Sequence, residues 1–173
     1  MKEIELEKTF LVSRLPLEIE SAVKTDLLDI YLPRTTEHPF LRIRKRGDKY
    51  CITKKVPAKE NNFSEFIEET IPLSKEEYNE LSLIAGKRLH KIRHTWRIGE
   101  TTVDLDIFQD DLFGLVIADF EFNSIDAKEI FVAPDWCLCD VTQAEFIAGG
   151  LLAGKKYSDI KSELLKFGYK GIN

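Results

Sequence analysis

Residues 103–122 read VDLDIFQDDLFGLVIADFEF, and the alternation inside this stretch decides the fold. Asp104 and Asp106 alternate with Val103, Leu105 and Ile107, and Asp119 and Glu121 alternate with Ala118, Phe120 and Phe122. Side chains of a strand point to opposite faces with period two. Each of these strands therefore has one apolar face and one face of paired acids. The arrangement recurs along the chain. Glu5 and Glu7 alternate with Ile4 and Leu6, Arg42 and Arg44 with Leu41 and Ile43, and Lys91 and Arg93 flank Ile92. Thr53 and Lys55 belong to a sixth, less regular run. Like charges doubled on one strand face repel and cost stability. Their repetition implies a polar interior turned toward a shared ligand.

Outward from that stretch, strands are expected at 3–12, 27–32, 40–46, 49–55, 65–71, 88–97, 101–108 and 115–122. Gly47-Asp48 and Gly99 read as hairpin turns. Helices are expected at 16–24, with Pro16 in the first turn, and from Ser74 to about Ala85, where Ser74 and Glu77 form a capping box. Ser124 caps a short helix ending near Pro134. Thr142 and Glu145 read as a second capping box, for a helix that Gly149 and Gly150 interrupt or end, and a last helix covers about 158–167. Residues 56–63 read as a polar loop. The expected class is α+β, one domain over residues 1–173: an eight-stranded closed antiparallel β-barrel, a tunnel with a polar interior and helices packed outside.

The 173 residues suffice for one domain with a sizeable core, and 32% of them are charged, a soluble globular composition. A net charge of −5 argues against a nucleic-acid partner. No apolar run approaches the roughly 18 residues of a membrane span. The opening residues, with Lys2, Glu3 and Glu5, do not resemble a signal peptide. Cys51, Cys137 and Cys139 make neither a disulfide framework nor a zinc motif, so a reducing, cytoplasmic setting is expected.

Arg42, Arg44, Lys55, Lys91 and Arg93 supply positive charge from separate parts of the chain. Guanidinium forks match phosphate oxygens and ammonium groups act as point charges, a combination that suits a compact polyanion. The acids are hard oxygen donors that favour Mg2+ or Mn2+. Metal and polyphosphate together fit phosphoryl transfer. Cross-strand ion pairs on an open sheet would produce the same pattern and stay open as an alternative.

ELEKTFLV at 5–12, LRIRKRGDKYCITKK at 41–55, EETIPL at 68–73, HKIRH at 90–94, the stretch at 103–122 and DVT at 140–142 together resemble the CYTH superfamily, the triphosphate tunnel metalloenzymes. That resemblance implies a hydrolase of a triphosphate compound (inorganic tripolyphosphate, thiamine triphosphate or a nucleoside triphosphate) using Mg2+ or Mn2+. Arg42, Arg44, Lys55, Lys91 and Arg93 would hold the phosphates. Glu5, Glu7, Glu68, Asp119 and Glu121 would hold metal, and Glu5, Glu7 and Asp106 would serve catalysis. The implied partner is a triphosphate-containing small molecule, and the resemblance leaves room for a homodimer. Two departures stand out: Thr9 occupies the place of the lysine in the family's E-x-E-x-K, and Thr70 that of a second glutamate. The resemblance also covers class IV adenylate cyclases, and the Thr9 departure keeps a non-catalytic polyphosphate- or nucleotide-binding module in view.

Overall fold

The computed structural model describes residues 3–59 and 62–172, with their side chains except at 3–5, 59 and 62–65. Among the described residues the strands are β1 (Glu3–Val12), β2 (Val23–Leu32), β3 (Leu41–Arg46), β4 (Lys49–Lys59), β5 (Asn62–Leu73), β6 (Lys87–Ile98), β7 (Thr101–Phe108), β8 (Val116–Phe122) and β9 (Cys137–Asp140). They form one antiparallel sheet in the order β5-β4-β3-β2-β6-β7-β8-β1-β9. This overturns the expected eight-stranded closed barrel. The sheet is open, and β5 and β9 stand at the ends of its order. β1 meets β5 only over a short seam, Glu3–Leu6 against Glu65–Glu68. Further along, the residues Phe10–Val12 pair instead with β9. A strand edge serves one neighbour at a time, so the ninth strand takes what a closed barrel would need. The sheet is still strongly curled, because Lys55 on β4 reaches Glu7 on β1.

Other boundaries moved as well. The helix expected at 16–24 shrinks to a 3-10 turn at Leu17–Glu20, and β2 starts at Val23, where β-branched Val23 and Thr25 favour extended chain. The loop expected at 56–63 is mostly strand. β4 carries Pro57 opposite Phe66, with the register shifting between Pro57 and Lys59, while residues 60 and 61 lie outside the described ones. The Ser74–Glu77 capping box is present and starts α1 (Lys75–Leu81). Ser124 caps α2 (Ile125–Glu129). Thr142 caps no helix, since its hydroxyl donates to Asp140 and accepts from the backbone N–H of Thr9. Gly149 and Gly150 lie inside α3 (Gly149–Leu152) instead of ending a helix, and α4 spans Tyr157–Lys166. Both glycines are there for close approach. A Cβ on Gly149 would sit 2.2 Å from the Tyr31 hydroxyl, and one on Gly150 would sit 2.4 Å from the Pro39 carbonyl oxygen.

The apolar faces build two outer cores. Phe10, Val103, Leu105, Phe120 and Trp136 form one, and Ile30 and Ile43 pack under Tyr78 of α1 in the other. The third core corrects the expectation that every helix lies outside. Leu11, Leu89, Phe108 and Ile117 share their sheet face with the charges, as pairs such as Lys91 opposite Phe108 require. Leu152 of α3 and Ile160 and Leu164 of α4 cover them. The concave face is thus polar over its middle and apolar where the C-terminal helices seat.

Candidate phosphate and metal site

A cavity of about 340 Å³ opens on the concave face. Its wall includes Arg42, Arg44, Lys55, Lys91 and Arg93, and also Glu7, Glu68, Asp106, Asp119 and Glu121. Local alternation turned each of these inward, and the curl of the sheet brought them together. The backbone of Glu5 pairs with Phe66 in the seam, but its side chain lies outside the described residues.

Asp106, 1% exposed, anchors one cationic group. Arg93 Nε donates to Oδ1 of Asp106 and Nη2 to Oδ2, both at 2.7 Å, and Lys91 donates to Oδ2 as well. Arg93 Nη1 donates to Asp104, whose other oxygen accepts from the Thr95 hydroxyl. Burial alone would raise the Asp106 carboxyl, yet the charges of Arg93 and Lys91 hold it well below the usual carboxylate range. Burial lowers the Lys91 ammonium, with Arg93 and Arg44 adding to the effect and Asp106 opposing it. Asp106 thus faces the two cations, and its place in the site is that of their counter-ion.

A second buried pair was not anticipated. Asp29, 2% exposed, grips Arg44, 8% exposed, through two bonds, Nε to Oδ1 at 2.6 Å and Nη2 to Oδ2 at 2.7 Å. Burial raises the Asp29 carboxyl, but the charge and hydrogen bonds of Arg44 outweigh it, and the net shift is downward. The signal for Asp29 is a lone acid in an otherwise apolar strand, LLDIYL at 27–32. Arg42 is held more loosely. Its Nη2 lies 3.5 Å from Glu68, its Nε is buried with no hydrogen-bond partner, and Thr70 donates to Glu68 at 2.9 Å. Thr70 therefore supports the carboxylate of Glu68 from the place where a second glutamate was expected.

The acids gather opposite. Glu7 pairs with Glu121 across β1 and β8, and Thr9 with Asp119. The Thr9 hydroxyl donates to Asp119 at 2.8 Å, and Lys55 donates to Glu7 at 3.2 Å. Burial, then the charges of Glu7 and Asp106, push the Asp119 carboxyl up to about 7 despite Arg93 and Lys91. Burial and neighbouring acids both disfavour the ionised Asp119, a cost that a hard cation would relieve. Among the described residues no three acids, histidines or cysteines already converge on a metal position. The donor set fits Mg2+ or Mn2+ by chemistry, with Glu7 turned to Lys55 and Glu68 to Arg42.

A curled antiparallel sheet thus sets a cationic wall against an acidic one around a single cavity. The CYTH domain model matches residues 1–133, and the chain belongs to that family. It is 30% identical over 141 residues to an inorganic triphosphatase of Nitrosomonas europaea, covering 80% of this chain and 89% of that one. It also resembles the crystal structure of an inorganic triphosphatase at 25% identity and a TM-score of 0.64, over 87% of this chain and 95% of the other. A putative adenylate cyclase from Bacillus halodurans shares the fold at 16% identity and a TM-score of 0.57, over 99% of this chain and 94% of the other. No helix among the described residues is long and apolar enough to cross a membrane.

Proposed function

We propose that this protein is a divalent-metal-dependent hydrolase of a triphosphate compound, with inorganic tripolyphosphate as the first substrate to test. The observation that carries the reading is the opposition of Arg42, Arg44, Lys55, Lys91 and Arg93 to Glu7, Asp119 and Glu121 around one cavity. Phosphoryl transfer asks little covalent chemistry of a protein, and positioning with electrostatic stabilisation carries most of the rate. The cations bind the phosphate oxygens and stabilise charge as it moves to the leaving group. Glu7, Asp119 and Glu121, with Glu5 and Glu68 beside them in the strands, would hold Mg2+ or Mn2+. Bound there, the metal would supply Lewis-acid polarisation of a phosphoryl oxygen. Glu7 lies at the junction of the two walls, next to Lys55, where phosphate and metal would meet. Asp106 keeps Lys91 and Arg93 charged and in place.

The test is phosphate release from tripolyphosphate, thiamine triphosphate and ATP with Mg2+ or Mn2+, with Glu7→Gln as the control. Turnover by the wild type and its loss in Glu7→Gln are expected. No turnover of any of the three would sink the hydrolase reading, and cyclic AMP formed from ATP would replace it with a cyclase. Arg42→Ala removes a charge-assisted contact, so KM should rise roughly 10- to 150-fold.

A further inference from the structure

Asp29 has no place in the assignment of phosphate and metal ligands above, yet it holds one of the five cations in a fixed pose. Its two oxygens meet Nε and Nη2 of Arg44 in the parallel, two-bond geometry that gives the strongest orientation between a carboxylate and a guanidinium. Burying such a pair costs desolvation on both partners, and an apolar pair of similar volume is often as stable. Stability is thus a poor reason for an ion pair whose side chains, 9% exposed for Arg44 and 1% for Asp29, are this deeply withdrawn from water. Orientation is a better one. With Nε and one hydrogen of Nη2 engaged, the second Nη2 hydrogen and both Nη1 hydrogens are left for the cavity that Arg44 lines. The other arginines differ. Arg93 has all three nitrogens on Asp104 and Asp106, and Arg42 meets its carboxylate, Glu68, only at 3.5 Å, with Nε left without a hydrogen-bond partner.

We propose that Asp29 is a positioning residue, which locks the Arg44 guanidinium so that its remaining Nη1/Nη2 edge meets the anionic oxygens of the bound triphosphate. The identity of the anion rests on the triphosphatase reading, and the locked orientation does not. A side chain ordered before binding loses little further freedom when the ligand arrives, so the contact is preorganised. Asp29 also lies close enough to Arg42 and Lys91 for both to act on its carboxyl, so it lowers the repulsion among Arg42, Arg44 and Lys91.

Two measurements on purified full-length protein test this. Calorimetric titration with tripolyphosphate in the absence of metal compares wild type, Asp29→Asn, Arg44→Met and the double variant. Asp29→Asn is expected to weaken binding about 10- to 100-fold. KM should follow that loss, while kcat at saturation changes far less. The double variant should bind no worse than Arg44→Met. Equal losses from Asp29→Asn with and without Arg44 would overturn the proposal. Nitrogen–proton NMR of the arginine Nε–H groups gives the second readout, a slowly exchanging Arg44 signal in the wild type that vanishes in Asp29→Asn. An unchanged signal also overturns it. If wild type fails to bind tripolyphosphate, the triphosphate reading falls, and the NMR signal still decides the positioning role. Should Asp29→Asn fail to fold, Asp29→Glu keeps the charge one methylene further out. It should weaken binding and displace the signal, and wild-type values for both would refute the role.

Discussion

Replacing Asp106 by Asn removes one negative charge from a position that is 1% exposed and faces two cations. Asn keeps the shape and one acceptor oxygen, so the change isolates charge from packing. Breaking a buried ion pair by removing one partner costs about 3–5 kcal/mol. The lower end applies here, because Asp104 continues to compensate Arg93. For a domain of this size, each kcal/mol shifts Tm by about 2–4 °C, so a loss of about 6–12 °C is expected. The variant should also free Lys91 from the influence that best opposes its deprotonation, since burial, Arg93 and Arg44 all act against its charge. Tripolyphosphate affinity should therefore fall, and fall further as pH rises.

There is an acid-side signature too. The folded-state carboxyl of Asp106 is held below its unfolded value, so its contribution is complete above about pH 4 and is lost on further acidification. The variant should lack that component. Thermal melts by circular dichroism across pH, with calorimetric titration of tripolyphosphate, measure all three effects. A variant within about 2 °C of wild type, with unchanged affinity, would contradict the counter-ion role assigned to Asp106.

Other expectations follow from the same geometry. The Asp119 carboxyl, 22% exposed and pushed up to about 7, binds its proton more tightly when folded than when unfolded. Stability of the metal-free protein should fall as pH rises from about 4 to 7, and Asp119→Asn should flatten that slope in melts across pH. Mg2+ should raise Tm more at pH 8 than at pH 5, as deprotonated Asp119 becomes available to it. Gly149→Ala drives a Cβ to 2.2 Å from the Tyr31 hydroxyl. It should cost about 1–3 kcal/mol in denaturant melts and raise KM, because Tyr31 lies opposite Arg42 across β2 and β3. Ser74→Ala removes the α1 cap on the outer face, and should cost about 1 kcal/mol with KM unchanged.

The candidate site was more legible than the closure of the sheet. Arg42, Arg44, Lys91, Arg93, Asp106, Asp119 and Glu121 lie on strands whose alternation assigns their faces without any knowledge of neighbours. Asp29 escaped because a single acid carries no period. Thr142 misled because a Ser or Thr three residues before Glu is a local pattern, while its actual partners, Thr9 and Asp140, include one 133 positions away. The strand β9 was missed because four residues, CLCD, hold too little alternation to stand apart from loop.

From its own residues the chain determined which side chains face the concave surface, where most strands lie and that acids and bases would share one interior. These follow from a two-residue period that each segment carries alone. Only the tertiary structure decided that the sheet stays open beyond a short β1–β5 seam and that β9 takes the remaining edge of β1. It alone also decided that α3 and α4 fill one end of the concave face and that Asp29 captures Arg44. Those outcomes depend on pairing and packing between distant segments, where edges and buried charges compete for a single partner.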